Sequence, residues 1–190
     1  MNESEVNLTE NINTSYNNDS INDSVNDSVN NECEKIYYSY DEIDQLCRST
    51  AILTKNTFDP DIILAIGGGG LIPARIIRTV INKPIYVVSL SSYDENNNQI
   101  DNLCEIQWAD FSKLKDKKIL IVDEIDDTRK TLDYVVNKMK TEENILGSNI
   151  GIFVIHNKQK QKCKLINEIN IKYYQATRSV PDKWIVYPWD

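Results

Sequence analysis

The stretch Ile119-Leu-Ile-Val-Asp-Glu-Ile-Asp-Asp-Thr-Arg-Lys-Thr-Leu132 decides the fold of this chain. Its first four residues are apolar and predict a buried strand, its acids predict a turn, and apolar residues at helical spacing follow it. Open α/β sheets bind ligands at the carboxyl ends of their strands, and a helix N-terminus offers free amides to phosphate. Carboxylates just before such a helix can hold sugar hydroxyls or a hydrated Mg²⁺. The stretch therefore predicts a site for a phosphorylated sugar and a metal ion.

The stretch also allows two other interpretations. The simpler one is an acidic surface loop that caps the following helix, with Asp127 or Thr128 as the N-cap residue. A calcium loop of the EF-hand type fits poorly, because no Gly stands at the required turn and no Glu closes a twelve-residue loop. The choice between ligand binding and simple capping depends on the rest of the chain.

Strands and helices alternate along the sequence around this stretch. Buried strands are predicted at 62–66, 84–90, 119–122 and 150–155, and helices at 39–56, 73–82 and 128–140. The first helix has Ser39 or Asp41 as its candidate cap, and Pro73 suits the first turn of the second. The alternation predicts an α/β domain with an open, mostly parallel sheet and helices on both faces.

Two segments are expected to lie outside this alternation. Residues 91–110 are polar and without clear periodicity, which in a compact domain predicts a long irregular lid. Residues 171–190 contain short aromatic runs and are expected to form short strands outside the alternation.

Residues 1–34 differ sharply in composition from the rest. They contain ten Asn, eight acidic residues and no basic residue, so the net charge of −8 lies wholly in this tail. The repeat at 18–29 is of low complexity and has too little apolar surface to offset the cost of ordering. We expect a disordered tail at 1–34 and a folded domain at 35–190.

Composition also argues against several classes of protein. No apolar run reaches membrane-spanning length, and a neutral folded region with an acidic tail has no nucleic-acid footprint. The four cysteines lie far apart without a Cys-x-x-Cys, which favours reduced thiols over a zinc site or a disulfide framework. We expect no membrane partner, no nucleic-acid partner and a cytoplasmic location.

A run of glycines follows the strand predicted at 62–66: Gly67, Gly68, Gly69 and Gly70. A loop without Cβ atoms exposes backbone amides that can bind pyrophosphate, although an ordinary tight turn explains such a run equally well. The spacing matches neither a Walker loop nor a dinucleotide-binding fingerprint.

The fourteen-residue stretch resembles the motif by which type I phosphoribosyltransferases bind 5-phosphoribosyl 1-pyrophosphate (PRPP). That motif is a hydrophobic strand, two acids, two further residues and then Asp-Thr-x-x-Thr. The resemblance implies the type I phosphoribosyltransferase fold and a PRPP site made of Asp123, Glu124, Asp126, Thr128, Arg129, Lys130 and Thr131. It also implies that the glycine loop binds the pyrophosphate group. Many relatives have a Lys or Arg where this chain has Gly68, so Arg75 or a metal ion is expected to neutralise the charge.

The segment Val180-Pro-Asp-Lys-Trp-Ile-Val-Tyr-Pro-Trp-Asp190 resembles the purine-binding hood of the 6-oxopurine phosphoribosyltransferases. The resemblance implies that Trp184 stacks on the base, that Ile185 contacts the purine edge and that Asp190 reaches a metal ion. The alternative is that the aromatic residues of this segment only close a small core.

Three shorter matches point to the same family. Ser92 and Tyr93 match the pair that begins its flexible loop, and Lys158 matches a strand-end lysine that donates to purine O6. The stretch Gln107-Trp108-x-Asp-Phe111 is similar to fungal-type xanthine and hypoxanthine phosphoribosyltransferases, in which Arg129 is the usual residue. His156 is the one histidine of the chain, and a single His is more often structural than catalytic.

The implied reaction joins PRPP to xanthine, hypoxanthine or guanine and releases pyrophosphate, with Mg²⁺ as the cofactor. The resemblance implies Asp127 as general base or hydrogen-bond partner at purine N7. It implies that Asp123 and Glu124 hold the ribose hydroxyls and, with Asp190, the metal ion, and that the protein forms a homodimer. Two rivals are a non-catalytic PRPP or nucleotide sensor on the same fold and an enzyme for pyrimidines. Asp127 and the complete hood argue against the first, and Trp184 argues against the second.

Overall fold

A computed structural model describes residues 34–93 and 99–190. In it, the strand predicted at 119–122 lies at the centre of the domain. The side chains of 92, 93, 99–102 and 113 are outside this description, and so are the predicted tail and the middle of the predicted lid. The described residues belong to one compact unit. None of the helices in these two ranges is long and apolar enough to span a membrane.

Eight strands and four α-helices make up the described chain. In order they are β1 (Lys35–Tyr37), α1 (Tyr40–Thr57), β2 (Ile62–Ile66), α2 (Leu71–Ile81), β3 (Ile85–Tyr93), β4 (Gln99–Gln107), β5 (Ile119–Asp126), α3 (Lys130–Thr141), β6 (Ile150–Lys158), α4 (Ile166–Ile169), β7 (Tyr173–Val180) and β8 (Trp184–Val186). Two short 3-10 helices lie at Phe111–Lys113 and Gly147–Asn149.

Six of these strands form the main sheet in the order β4-β3-β2-β5-β6-β7. Every neighbouring pair is parallel except β3 and β4. Successive residues of β5 face opposite sides: Ile119 and Ile121 pack on the α3 side, whereas Leu120 and Val122 pack on the α1 and α2 side. A parallel strand covered on both faces must be apolar throughout, which explains the continuous run in the sequence. The predicted α/β fold is confirmed.

The helix starts were predicted with mixed success. Ser39 caps α1 in a capping box, because its Oγ accepts from the Glu42 amide at 3.3 Å and its own amide donates to Glu42 Oε2 at 2.8 Å. The prediction of Asp127 or Thr128 as the cap of α3 is wrong. The cap is Arg129, whose backbone is left-handed with φ of 70° and whose side chain caps nothing.

Two segments differ clearly from the predictions. The strand β5 continues to Asp126, so three of the four acids stand on a strand and not in a turn. The segment predicted as an irregular lid begins as the hairpin arm of β3 and resumes as β4, with Tyr93 opposite Gln99. Exposed residues follow one another along β4 from Cys104 to Gln107, so the arm lacks the apolar alternation that marks a half-buried strand.

The C-terminal segment is divided between two sheets. The strand β7 joins the main sheet beside β6, so part of the segment that follows the predicted alternation extends that sheet. The strand β8 pairs with β1, with Ile36 opposite Ile185, and these two strands form a separate small sheet. The N-terminal strand of that pair was not predicted, since three residues are too few to show a period.

Candidate active site

A cavity of about 220 Å³ opens at the carboxyl ends of β2 and β5. It is lined by residues from the two predicted loops and by a few apolar neighbours: Ile66, Gly67, Gly69, Leu90, Leu103, Asp123, Glu124, Ile125, Asp127, Thr128, Arg129, Lys130, Thr131 and Leu132. Eight of the residues predicted for PRPP and pyrophosphate, together with the predicted base Asp127, therefore meet around one space. Gly68, Gly70 and Asp126 do not line it.

The glycine loop is shaped for close approach. Gly68 has a φ of 92°, which side chains of L residues rarely tolerate. A Cβ on Gly69 would stand 1.8 Å from the Glu124 carboxylate, so the missing side chain lets that acid lie directly against the loop. Arg75, the expected source of positive charge, is exposed on α2 and does not line the cavity.

Two neighbouring acids stand at the end of β5. Asp123 is 8% exposed, and its Oδ1 accepts a hydrogen bond of 2.9 Å from the Glu124 amide. Burial, and next the charge of Glu124, raise the pKa of the Asp123 carboxyl well above its usual value. Glu124 Oε2 is buried without a hydrogen-bond partner among the described residues. Such a pair is stabilised by a ligand that brings hydroxyl donors or a cation.

Asp126, predicted to bind PRPP, is fully buried and already paired. Its Oδ2 accepts from Arg129 Nη2 at 2.7 Å, from Arg129 Nε at 2.9 Å and from the Tyr174 hydroxyl at 2.7 Å. The Arg129 guanidinium is therefore engaged in hydrogen bonds with Asp126. These contacts favour a positioning role for both side chains, although Arg129 also lines the cavity.

The turn from Asp127 to Thr131 presents backbone amides to the cavity. The first amides of α3 have no partner inside the helix, as at every helix N-terminus. Neither the Thr128 nor the Arg129 amide donates to another backbone group in the described ranges. Amides of this kind, together with the hydroxyls of Thr128 and Thr131, suit a phosphate group.

Asp127 leads from this turn toward a second cluster of charges. Its Oδ1 lies 3.1 Å from Lys160 Nζ and 3.7 Å from Lys158 Nζ. Asp182, in the segment before β8, lies at the same two distances from the same lysines. Lys158, predicted to contact the purine, is 8% exposed at the end of β6 and therefore has little freedom to move. Hydrogen bonds to both carboxylates raise the pKa of Lys160.

The small sheet of β1 and β8 carries the predicted base-stacking residue. Trp184 is 59% exposed, whereas Ile185 and Tyr187 are each 6% exposed. Tyr187 stacks on Trp189 with ring centroids 4.8 Å apart. The alternative interpretation, that the aromatic residues close a core, therefore holds for Tyr187 and Trp189 but not for Trp184.

A buried chain of hydrogen bonds joins this sheet to β5. The Tyr187 hydroxyl donates to the Glu124 carbonyl at 3.1 Å and lies 2.9 Å from His156 Nδ1. His156 is fully buried, and burial lowers its pKa to about 4. A neutral imidazole without contact to the cavity is structural, as expected for the single histidine.

Asp190 stays near the hood without joining the acids of β5. Its Oδ2 accepts from the Tyr187 amide at 2.8 Å, and its own amide donates to the Tyr187 carbonyl at 3.2 Å. Across the described ranges, no group of three acids, histidines or cysteines is arranged to hold a metal ion. The metal role of Asp123, Glu124 and Asp190 stays a prediction.

The remaining predicted residues, Ser92 and Tyr93, lie on β3 opposite β4, and their side chains are not described. Sequence reasoning missed Lys160 and Lys162, which contact the turn after β5. The alternation of lysines in Lys158-Gln-Lys-Gln-Lys-Cys-Lys164 is the sequence feature that could have indicated them.

Comparison with known proteins identifies the family. The protein-family model described as "Phosphoribosyl transferase domain" matches residues 39–187. The chain is 42% identical to the hypoxanthine-guanine phosphoribosyltransferase of Schizosaccharomyces pombe, over 82% of this chain and 89% of that one. It is also 42% identical to xanthine phosphoribosyltransferase 1 of Saccharomyces cerevisiae, over 84% of this chain and 91% of that one.

Solved structures agree with the sequence relatives. A Neisseria gonorrhoeae protein with bound ppGpp is 34% identical with a TM-score of 0.71, covering 83% of this chain and 89% of that one. A purine phosphoribosyltransferase from Pyrococcus horikoshii is 25% identical with a TM-score of 0.65, covering 82% and 94%.

Proposed function

This chain belongs to the phosphoribosyl transferase family, and from that premise we propose that it transfers the phosphoribosyl group of PRPP to a 6-oxopurine base. The products are a purine nucleoside monophosphate and pyrophosphate, and the reaction serves purine salvage. The observation that carries the proposal is the single cavity in which the glycine loop, two strand-end acids and the helix-start amides meet. The alternative of a non-catalytic sensor is favoured by no observation.

Different residues around the cavity bind different parts of PRPP. The amides of the glycine loop bind the pyrophosphate, and Asp123 and Glu124 hold the ribose hydroxyls. The amides and hydroxyls from Thr128 to Thr131 bind the 5′-phosphate. The burial of Asp123 and the unpaired Glu124 Oε2 support this division, because both carboxyls gain partners when the sugar is bound.

The base takes the other side of the turn. Asp127 accepts or holds the proton at purine N7. Lys158 lies beside Asp127 and is therefore within reach of the same base. Trp184 stacks on the purine face, since its exposed ring is free to receive one, and the backbone at Ile185 contacts the purine edge. Ser92 and Tyr93 begin the loop that covers the reaction.

Mg²⁺ fits this site as an ion shared with the substrate. Two carboxyls at one strand end, without a third acid in the described ranges to complete a cage, match the way Mg²⁺ uses one or two carboxylates, waters and substrate phosphates. When bound, the ion neutralises charge on the departing pyrophosphate. Asp123 and Glu124 would hold it through water, and Asp190 would approach it from the hood.

The test is conversion of each base to its monophosphate in the presence of PRPP and Mg²⁺. We expect turnover with at least one of hypoxanthine, guanine and xanthine, and none with uracil or without PRPP. A protein that binds PRPP and nucleotide but converts no base would be the sensor, and the proposal would be wrong.

Assembly and location complete the proposal. We propose a homodimer in the cytoplasm, on the strength of the family resemblance and of the reduced cysteines. Cys47 is buried as a free thiol, and burial raises its pKa to about 12, which makes the thiol unreactive. Sedimentation equilibrium of the full chain measures the assembly, and a monomer would contradict the dimer.

A further inference from the structure

The segment 158–164 lies behind the turn that holds the 5′-phosphate in the proposed function. We call it the lysine strap, because Lys158, Lys160, Lys162 and Lys164 alternate along it. The first two face the charges beside the base, as described above. The last two, with Cys163 between them, contact the back of the phosphate turn.

Three backbone carbonyls of the turn are held by the strap. Lys162 Nζ donates to the carbonyl of Asp126 and, at 2.6 Å, to that of Asp127. The Cys163 amide donates to the Thr128 carbonyl at 3.0 Å. The strap also receives a bond from the turn, since Arg129 Nη1 donates to the Lys164 carbonyl at 2.9 Å.

The geometry of the peptide bond converts these contacts into an orientation of amides. In a trans peptide the carbonyl of one residue and the amide of the next point in opposite directions. When the Asp127 and Thr128 carbonyls point at the strap, the Thr128 and Arg129 amides must point away from it. Both residues line the cavity, and both amides lack a backbone acceptor in the described ranges. They precede the free amides of α3, so a row of donors faces one space.

The ammonium of Lys162 is largely removed from water, which disfavours its charge. Its side chain is 9% exposed, and its ammonium lies 3.5 Å from the buried Oδ1 of Asp126. Burial lowers the pKa of Lys162, whereas the neighbouring Asp126 opposes that effect. A buried ammonium with two carbonyl acceptors and a nearby carboxylate is held in one position by these contacts.

We propose that Lys162 is a positioning residue for the 5′-phosphate. It fixes the carbonyls of Asp126 and Asp127 on the far side of the turn, so that the amides from Thr128 onward are already aligned before the phosphate arrives. The inference rests on the proposed function, because it takes the 5′-phosphate as the ligand of this turn. It assigns Lys162 no contact with substrate.

The first measurement compares steady-state kinetics of the wild type with Lys162→Met and Lys162→Arg. Hydrogen bonds from a charged donor support an expected rise of about 10- to 100-fold in KM for PRPP when Met removes them. We expect the purine KM to change by less than about twofold and Arg to recover part of the loss. The matched control is Lys164→Met, since Lys164 is two residues on in the strap and its 42% exposed side chain pairs, among the described residues, with Asp133 alone.

The second measurement uses binding alone, by calorimetry with ribose 5-phosphate and with pyrophosphate. Lys162→Met is expected to weaken ribose 5-phosphate by a similar factor and to leave pyrophosphate unchanged. Equal weakening of both ligands, or none of either, overturns the proposal. If Lys162→Met does not fold, Lys162→Arg decides, with intermediate weakening of ribose 5-phosphate expected and unchanged binding as the overturning result. A wild type that binds ribose 5-phosphate but converts no base refutes the proposed function and leaves this comparison valid.

Discussion

The phosphate side and the base side of this site are built in opposite ways. The phosphate side, from Asp123 to Thr131, rests on buried groups: Asp126 is fully buried, and Arg129 is 6% exposed. The base side ends in Trp184, which is 59% exposed on a strand of three residues. The first half is mostly buried within the domain, and the second presents an open aromatic face.

The substrates in the proposed function account for this difference. The phosphorylated sugar is the same in every cycle, so amides and carboxyls that are aligned in advance avoid the cost of ordering them at binding. The purine is flat, and an exposed ring can stack on any of the three candidate bases. The charges around Asp127 connect the halves, because Lys158 and Lys160 each lie between Asp127 and Asp182. Choice among bases is therefore expected to depend on the base side alone.

The largest expected effect tests the residue between the two halves. Asp127→Asn removes the charge that is proposed to act at purine N7, and loss of a general base typically lowers turnover by about 10²–10⁴-fold. The KM for PRPP should change far less. Asp182→Asn is the matched control, because Asp182 lies at the same distances, 3.1 and 3.7 Å, from the same two lysines. Similar turnover numbers for the two variants would mean that Asp127 contributes only an ion pair.

The next effect separates stability from chemistry on the phosphate side. Asp126→Asn leaves the Arg129 guanidinium buried without its partner, and breaking a buried ion pair in this way costs about 3–5 kcal/mol. Urea unfolding measures the loss. Asp133→Asn is the control, since its pair with Lys164 is partly exposed and such pairs contribute about 0–1 kcal/mol. Equal losses in the two variants would show that the Asp126 network is not a structural anchor.

The smallest effect tests the open half. Trp184→Ala should weaken the purine by about 1–3 kcal/mol of lost stacking and leave the KM for PRPP and the melting temperature nearly unchanged. Trp189→Ala should do the reverse and lower the melting temperature, because that ring stacks on buried Tyr187. The purine KM and thermal melting of both variants check this, and matching phenotypes would return Trp184 to the role of a core residue.

Some of this architecture was predictable from local pattern. The apolar run at 119–122 predicted a buried strand, and Ser39 was one of the two cap candidates for α1. The glycine run and the acids of β5 were recognised as candidate ligand groups from residue type and order alone. Family resemblance added the roles of Trp184 and Lys158, which periodicity does not contain.

Other features depended on contacts between distant parts of the chain. The end of β5 was misplaced because pairing with β6 continues to Asp126, beyond the last apolar residue predicted for the strand. The segment 91–110 was predicted to be irregular because the backbone pairing of β3 with β4 needs no apolar side chains.

The amino-acid sequence by itself determined the α/β alternation, the position of the site at the strand ends and the residue types around it. Only the tertiary structure decided which of those residues face the cavity. Arg129 turned inward to a buried acid, Lys162 was brought behind the phosphate turn, and β1 was paired with β8. The physical reason is that periodicity reports which face of an element is apolar, whereas buried polar groups take partners that only the packed chain supplies.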